Sequence, residues 1–186
     1  MVLRMTGLRE RKKEQTRCRI EQVAMRLFAE RGFDDVTVNE IAEAAEVAKV
    51  TLFKYFPSKE SLVLDGVKED FAGIVAARQD GRSVVDAVRD HCALMVRADA
   101  PEVATLVRII SGSPALLVGL QAVQAGQRAE LAAVLAAERD EITARLMAAQ
   151  LMSTVTALQE LFFEGRLTDD AVKRAFDLLE NGMRGH

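Results

Sequence analysis

Apolar positions recur with a helical period along almost the whole chain, and no stretch alternates as a strand would. Ile20, Val23, Ala24, Leu27 and Phe28 fall at i, i+3, i+4, i+7 and i+8, which predicts a first amphipathic helix ended by Gly32. Thr37 followed by Glu40 has the spacing of a capping box. It opens a short second helix, VNEIAEAA, with Val38, Ile41, Ala42 and Ala45 inward. A third short helix runs from about Lys49 to Phe56 with Leu52 and Phe56 inward, and Pro57 ends it. Ser58 then caps a fourth helix that continues to about Ala77. Ser83 caps a fifth, to about Ala98, and Pro101 starts a sixth. Ser113-Pro114 opens a long seventh helix to about Ala137, and Asp140 caps an eighth that reaches Glu164 and stops at Gly165. Thr168-Asp169-Asp170 caps a ninth, ending near Asn181-Gly182. The prediction is an all-α, nine-helix protein without internal repeats, divided into residues 1–57 and a second helical domain, 58–186.

Composition changes this picture little. Of the 186 residues 49% are hydrophobic and 28% charged, as expected for a globular chain with a packed core. The first residues are basic but lack the apolar stretch of ~7–15 residues of a secretory signal. No uninterrupted apolar run approaches the ~18 residues of a membrane span, and VATLVRII is broken by Arg108. Cys18 and Cys92 match no metal or redox spacing. The expectation is a cytoplasmic protein with no membrane association and no cofactor.

Charge distribution adds more than the net value of −3. Residues 1–31 hold nine lysines and arginines against four acids, which leaves the remainder of the chain acidic. A basic end on an acidic body is expected where one part meets phosphate and the other does not. Arg11, Lys12 and Lys13 admit two readings, an arm that tracks a groove or a disordered tail.

The second and third helices, joined by a tight turn, make a helix-turn-helix, whose second helix fits the major groove of B-DNA where base edges are distinguishable. With Leu52 and Phe56 inward, the opposite face carries Lys49, Val50, Phe53 and Lys54, flanked by Thr51 and Tyr55. Lysines reach phosphates or guanine acceptors, Val50 suits a thymine methyl, and the two hydroxyls donate to phosphate.

At these residues the chain resembles a known family. Positions 17–64 look like the N-terminal domain of the TetR family of transcriptional regulators. The likeness rests on LFAERGF, the T-V-x-E-I-A start, T-L-F-x-Y-F and the P-S-K-E-x-L that follows. The resemblance implies a phosphate contact for Thr37 beyond its capping role and a base contact for Asn39. It also implies groove entry at Lys49, Val50 and Thr51, backbone contacts from Phe53 and Tyr55, and a phosphate contact from Lys59. Three positions depart from the pattern. Glu46 stands where the family usually has glycine, which predicts a left-handed backbone without glycine's ease. Ala48 replaces a serine cap, whose loss costs about 1 kcal/mol, and Phe53 replaces a tyrosine.

For the second domain the resemblance covers architecture alone. It implies a ligand cavity among helices five to seven and pairing of helices eight and nine across a two-fold axis. Ile142, Leu146, Gln150, Ser153, Ala157 and Leu161 recur at about helical spacing and are the candidate dimer stripe; an intramolecular core stripe is the alternative. One short recognition helix reads few base pairs, so a homodimer on two half-sites is expected. From Ala72 to Leu161 there is no Phe, Tyr or Trp, which argues against a cage for flat cations. Candidate ligand contacts are His91, Met95, Thr105, Arg108, Gln121 and Gln124. They suit an aliphatic effector with an anionic or carbonyl group near Arg108. Adjacent His91 and Cys92 point about 100° apart on a helix, which argues against a shared metal or catalytic site.

The function expected is that of a small-molecule-responsive regulator that binds double-stranded DNA, a repressor released from its operator by ligand. In that mechanism a continuous fourth helix couples the two domains. The rival readings are a regulator acting through a protein partner or as an activator, and an enzyme with an incidental helix-turn-helix. For the last, no nucleophile–base pair or phosphate loop stands out.

Overall fold

A computed structural model of the chain describes the backbone of residues 3–97 and 100–182 and the side chains of residues 10–97 and 104–182. The described residues form helices and connecting turns, with no strand among them. They divide into two compact units, Met1–Val67 with Thr105–Leu120, and Lys68–Ala104 with Gln121–His186. Residues 58–67, which the sequence reading groups with the second domain, pack within the first of these units.

In the first unit α1 (Leu3–Arg31) packs against α2 (Val38–Ala44) and α4 (Ser61–Leu64), and α2 packs on α3 (Lys49–Tyr55). The apolar period explains the packing: Ile20, Ala24 and Phe28 of α1 are buried, as are Ile41 and Ala42 of α2 and Leu52 and Phe56 around α3. Gly32, at φ 86, ends α1 in the left-handed conformation that a glycine adopts without strain. Arg11, Lys12 and Lys13 belong to α1 itself and are exposed, so a disordered tail does not describe them.

The fourth predicted helix is not continuous. It is replaced by α4, a 3-10 turn over Asp65–Val67, a non-helical stretch at 68–70, and α5 (Phe71–Ala76). Ser58 is not the N-cap of α4, a position held by Glu60 without a side-chain cap bond, although Ser58 Oγ accepts the Ser61 N–H at 3.2 Å in the turn before α4. The break has a local cause, because the Asp70 carboxylate accepts the Gly73 N–H at 2.8 Å and starts a new helix there. It also has a tertiary cause within the second unit. The buried Gln127 amide donates to the Glu69 carbonyl at 2.8 Å, which takes that carbonyl out of any helical ladder.

The second unit comprises α5, α6 (Val84–Met95), the start of α7 (Ala100–Ser111), most of α8 (Pro114–Leu135), α9 (Glu141–Phe163) and α10 (Asp169–Asn181). The predicted caps are present: Ser83, Asp140 and Thr168 accept from Asp86, Thr143 and Ala171 N–H groups. Its core gathers Phe71, Val75, Val88, Leu131, Leu151 and Phe176, among others. No single helix among the described residues is long and apolar enough to cross a membrane.

Candidate nucleic-acid interface

The helix-turn-helix is built from its caps inward. Thr37 Oγ1 accepts the Glu40 N–H at 3.2 Å, and the Glu40 carboxylate accepts the Thr37 N–H at 2.8 Å, completing the capping box. The Thr37 hydroxyl also donates to Glu40 Oε2 at 2.7 Å, and Arg31 donates to Oε1 at 2.7 Å. These bonds from Thr37, reinforced by Arg31, hold the Glu40 carboxyl down at about 2. The hydroxyl proton of Thr37 is thus committed to Glu40, and a phosphate contact there requires it to turn away.

Helix α2 closes with a Schellman motif. Val47 N–H reaches the Ala42 carbonyl at 2.9 Å and Glu46 N–H reaches that of Glu43 at 3.0 Å. Glu46 sits at φ 52, the one non-glycine residue with positive φ among those described, as the missing glycine predicts. Ala48 occupies the N-cap of α3 in extended conformation and makes no side-chain cap bond, again as predicted. The turn therefore keeps its shape while lacking both residue types that would ease it.

On α3, Leu52 and Phe56 are fully buried, which fixes the rotation of the helix. Val50 (64% exposed), Phe53 (40%), Lys49 and Lys54 face outward together, and Thr51 and Tyr55 flank them half-buried. An apolar pair between two lysines on a solvent face is unusual for a face that meets only water. Asn39 is exposed on α2. Lys59 differs from the other lysines: its Nζ lies 4.3 Å from the centre of the Phe33 ring and donates to the Asp34 carbonyl at 3.4 Å. It is tied into the unit rather than held out in solvent.

Arg17 is a site residue that the sequence displays only as charge. Its guanidinium lies over the Phe56 ring at 4.6 Å and donates to the Tyr55 carbonyl at 3.4 Å and to Asp65 at 3.1 Å. It anchors the C-terminal end of α3 to α1. The available signal was its position, since Arg17, Ile20, Ala24 and Phe28 follow one side of α1.

The six candidate ligand residues do not gather in one unit. Thr105 and Arg108 belong to the first, where Arg108 donates to the Ala29 carbonyl at 3.5 Å. In the second, His91 and Met95 lie half-buried on α6, while Gln121 and Gln124 lie on α8. His91 Nε2 is 2.9 Å from Glu69 Oε2, and its ring meets Phe71 edge-on at 5.5 Å. That hydrogen bond holds the Glu69 carboxyl below its usual range, against the opposing effect of burial. Burial, with Glu69 adding to it, pushes the Cys92 thiol up to about 12. Gln121 and Gln124 line an open hollow of about 310 Å³ with Arg128, Ser153, Ala157 and Glu160.

The candidate dimer stripe lies on the outer side of α9. Ile142 is 72% and Leu146 60% exposed, Gln150, Ser153 and Ala157 are exposed, and Leu161 is half-buried against the core. The opposite side of α9, with Ala144, Ala148, Leu151 and Val155, is the one that packs within the unit.

Residues 20–65 match the model for bacterial regulatory proteins of the tetR family. The chain is similar to the HTH-type transcriptional regulator TcmR of Streptomyces glaucescens, 36% identical over 85 residues, covering 44% of this chain and 38% of the relative. It is also similar to the HTH-type transcriptional repressor KstR2 of Rhodococcus jostii, 39% identical over 79 residues and 39% of each chain. These matches span less than half the length of either relative. In fold the chain is similar to NalD, the secondary repressor of the MexAB-OprM multidrug efflux pump in Pseudomonas aeruginosa. That likeness has a TM-score of 0.61 at 18% identity and covers 92% of this chain and 97% of that one. The likeness to the tetR family model is thus carried by the helix-turn-helix at residues 20–65, and the all-helical fold is shared with NalD.

Proposed function

We propose that the chain is a DNA-binding transcriptional regulator, and that it acts as a homodimeric repressor released from its operator by a small molecule. The observation that carries the reading is the outward face of α3, Lys49, Val50, Phe53 and Lys54, set on a helix whose rotation is fixed by two fully buried side chains. A helix entering the major groove needs such a face: cations for phosphate and guanine, and apolar groups for thymine methyls. Thr37, Asn39, Thr51, Tyr55 and Lys59 flank it in the proposed contact set. The repressor reading draws on the likeness to KstR2 and NalD, both repressors.

The dimer is assigned to the stripe Ile142, Leu146, Gln150, Ser153, Ala157 and Leu161. Two exposed aliphatic side chains followed by small residues favour close helix approach by a second copy. Recognition belongs in this reading to residues 1–57, and effector binding and pairing to residues 58–186. The effector is aliphatic, because the segment Ala72–Leu161 offers no Phe, Tyr or Trp for stacking. Coupling cannot run along a rigid fourth helix. It runs instead through the stretch at 68–70, where Gln127 of α8 holds the Glu69 carbonyl and His91 of α6 its carboxylate. An effector that prefers the arrangement in which those bonds are remade shifts the population away from the DNA-binding spacing.

The test is selection of duplexes from a random pool by the full chain, followed by challenge of the complex with cell extract. The reading expects enrichment of a two-fold site and its release by a small component of the extract. A pool that stays unenriched at moderate salt overturns it.

A further inference from the structure

Helix α1 continues well before its packed part: the first buried side chain is Ile20, and every residue from Glu10 to Arg19 is exposed or half-buried. This segment carries five basic residues and two acids, and the helix sorts them by side. Lys12, Gln15, Thr16 and Arg19 fall at i, i+3, i+4 and i+7 and form one acid-free stripe. Glu10, Glu14 and Glu21 fall at i, i+4 and i+11 along another side. Lys13 and Arg17 follow the side that leads into the core. The orientation of the first stripe is fixed by a contact, since Arg19 Nη1 lies 4.0 Å from Glu46 Oε2, in the turn three residues before Lys49. The C-terminal end of the acid-free stripe, at Arg19, therefore faces the turn that precedes α3.

We propose that this stripe is a second, sequence-independent DNA contact, in which Lys12 and Arg19 bind phosphates flanking the groove that α3 enters. The inference rests on the reading of α3 as a DNA-recognition helix. Seven residues of helix separate Lys12 from Arg19 by roughly 10 Å, about the axial rise of three base steps on one strand. The occupant is the phosphate backbone by charge complementarity: two cations and an amide on an acid-free face suit an anionic lattice and carry no base-reading geometry. Arg19 exchanges its loose pairing with Glu46 for a phosphate, and Gln15 donates between the two cations. The sorting of acids to another side of α1 leaves Glu46, from the turn before α3, as the carboxylate paired with the stripe.

The experiment is a fluorescence-anisotropy titration of the full chain with a duplex selected from the random pool, repeated across ionic strength. It compares wild type, Lys12→Ala/Arg19→Ala and Lys13→Ala, with helix content checked by circular dichroism. Removing one phosphate-binding cation lowers the log–log salt slope by about 0.9. The double variant, which removes two such cations from each subunit of the homodimer, is therefore expected to reduce the slope by about 3.6 and to weaken all duplexes alike, keeping their ranking. Lys13→Ala removes the same kind of charge from another side and is expected to leave the slope unchanged. An unchanged slope in the double variant overturns the proposal, as does a reduction in Lys13→Ala half as large as that of the double variant, which reports overall charge alone. Tighter binding to single-stranded RNA than to duplex overturns it as well. If wild type binds no duplex, the regulator reading fails together with this inference; if wild type binds and only the slope test fails, the reading of α3 stands.

Discussion

The guanidinium of Arg17 lies 4.6 Å over the ring of Phe56, the buried residue that ends α3. With its hydrogen bonds to the Tyr55 carbonyl and Asp65, this contact joins α1 to the far end of α3. Arg17→Ala is expected to lower stability to chemical denaturation by about 1–2 kcal/mol, because it removes the stacking and the carbonyl bond. The ion pair with the half-exposed Asp65 adds little to that figure. Arg17→Lys recovers only a minor part, because an ammonium cannot stack flat and serve both acceptors. Equal stability of the alanine and wild-type proteins contradicts the anchoring role.

Glu46 holds a left-handed conformation that costs a residue with a side chain roughly 1 kcal/mol more than glycine. Its exposed pairing with Arg19 at 4.0 Å offsets almost none of this. Glu46→Gly is expected to raise stability by up to about 1 kcal/mol, the greater unfolded-state freedom of glycine taking back part of the gain. Glu46→Ala keeps the strain and brings no gain. A glycine variant less stable than the alanine variant contradicts the account of the turn.

The Glu40 carboxyl, held at about 2 chiefly by Thr37 and also by Arg31, makes the capping box acid-sensitive. A carboxylate whose folded value lies below its unfolded one contributes stability that is fully present above the unfolded value, near 4.5. That contribution disappears as pH falls towards the folded value. The stability difference between wild type and Glu40→Gln, measured by denaturant titration at several pH values, is expected to be constant from pH 7 to about 4.5. It is expected to close between 4.5 and about 2. A gap that stays constant to the lower value contradicts the assigned partners.

Much of the fold was legible because its signals are short-range. Ser83, Asp140 and Thr168 start their helices through contacts three residues away, and Thr37 with Glu40 does the same. The left-handed turn at Glu46 and the uncapped start at Ala48 could be read for the same reason. The fourth helix could not. Leu62, Val63, Val67, Phe71, Ile74 and Val75 keep a helical period across the break, while part of its cause is a side chain 58 residues away, Gln127 on the Glu69 carbonyl. The present partners of Lys59 and Arg108 could not be read either, because a sequence displays a cation and hides its acceptor. In the first unit both donate to backbone carbonyls.

That long-range bond can be tested directly. Gln127 is 3% exposed, and Gln127→Leu leaves the Glu69 carbonyl without its partner. The variant is expected to be less stable by about 1–3 kcal/mol, measured by denaturation. Backbone amide exchange is expected to rise first around 68–70. Unchanged stability and exchange contradict the role given to this bond in breaking the helix and in holding the connecting stretch.

The most direct test of the central claim is hydroxyl-radical and methylation footprinting of wild type on a selected duplex. With α3 laid against base edges in a symmetric pair, two protected major-groove patches are expected, centred about 34–36 Å apart. Lys49→Ala and Val50→Asp should weaken both patches together. A single patch, or even protection along the duplex without preferred bases, contradicts the claim.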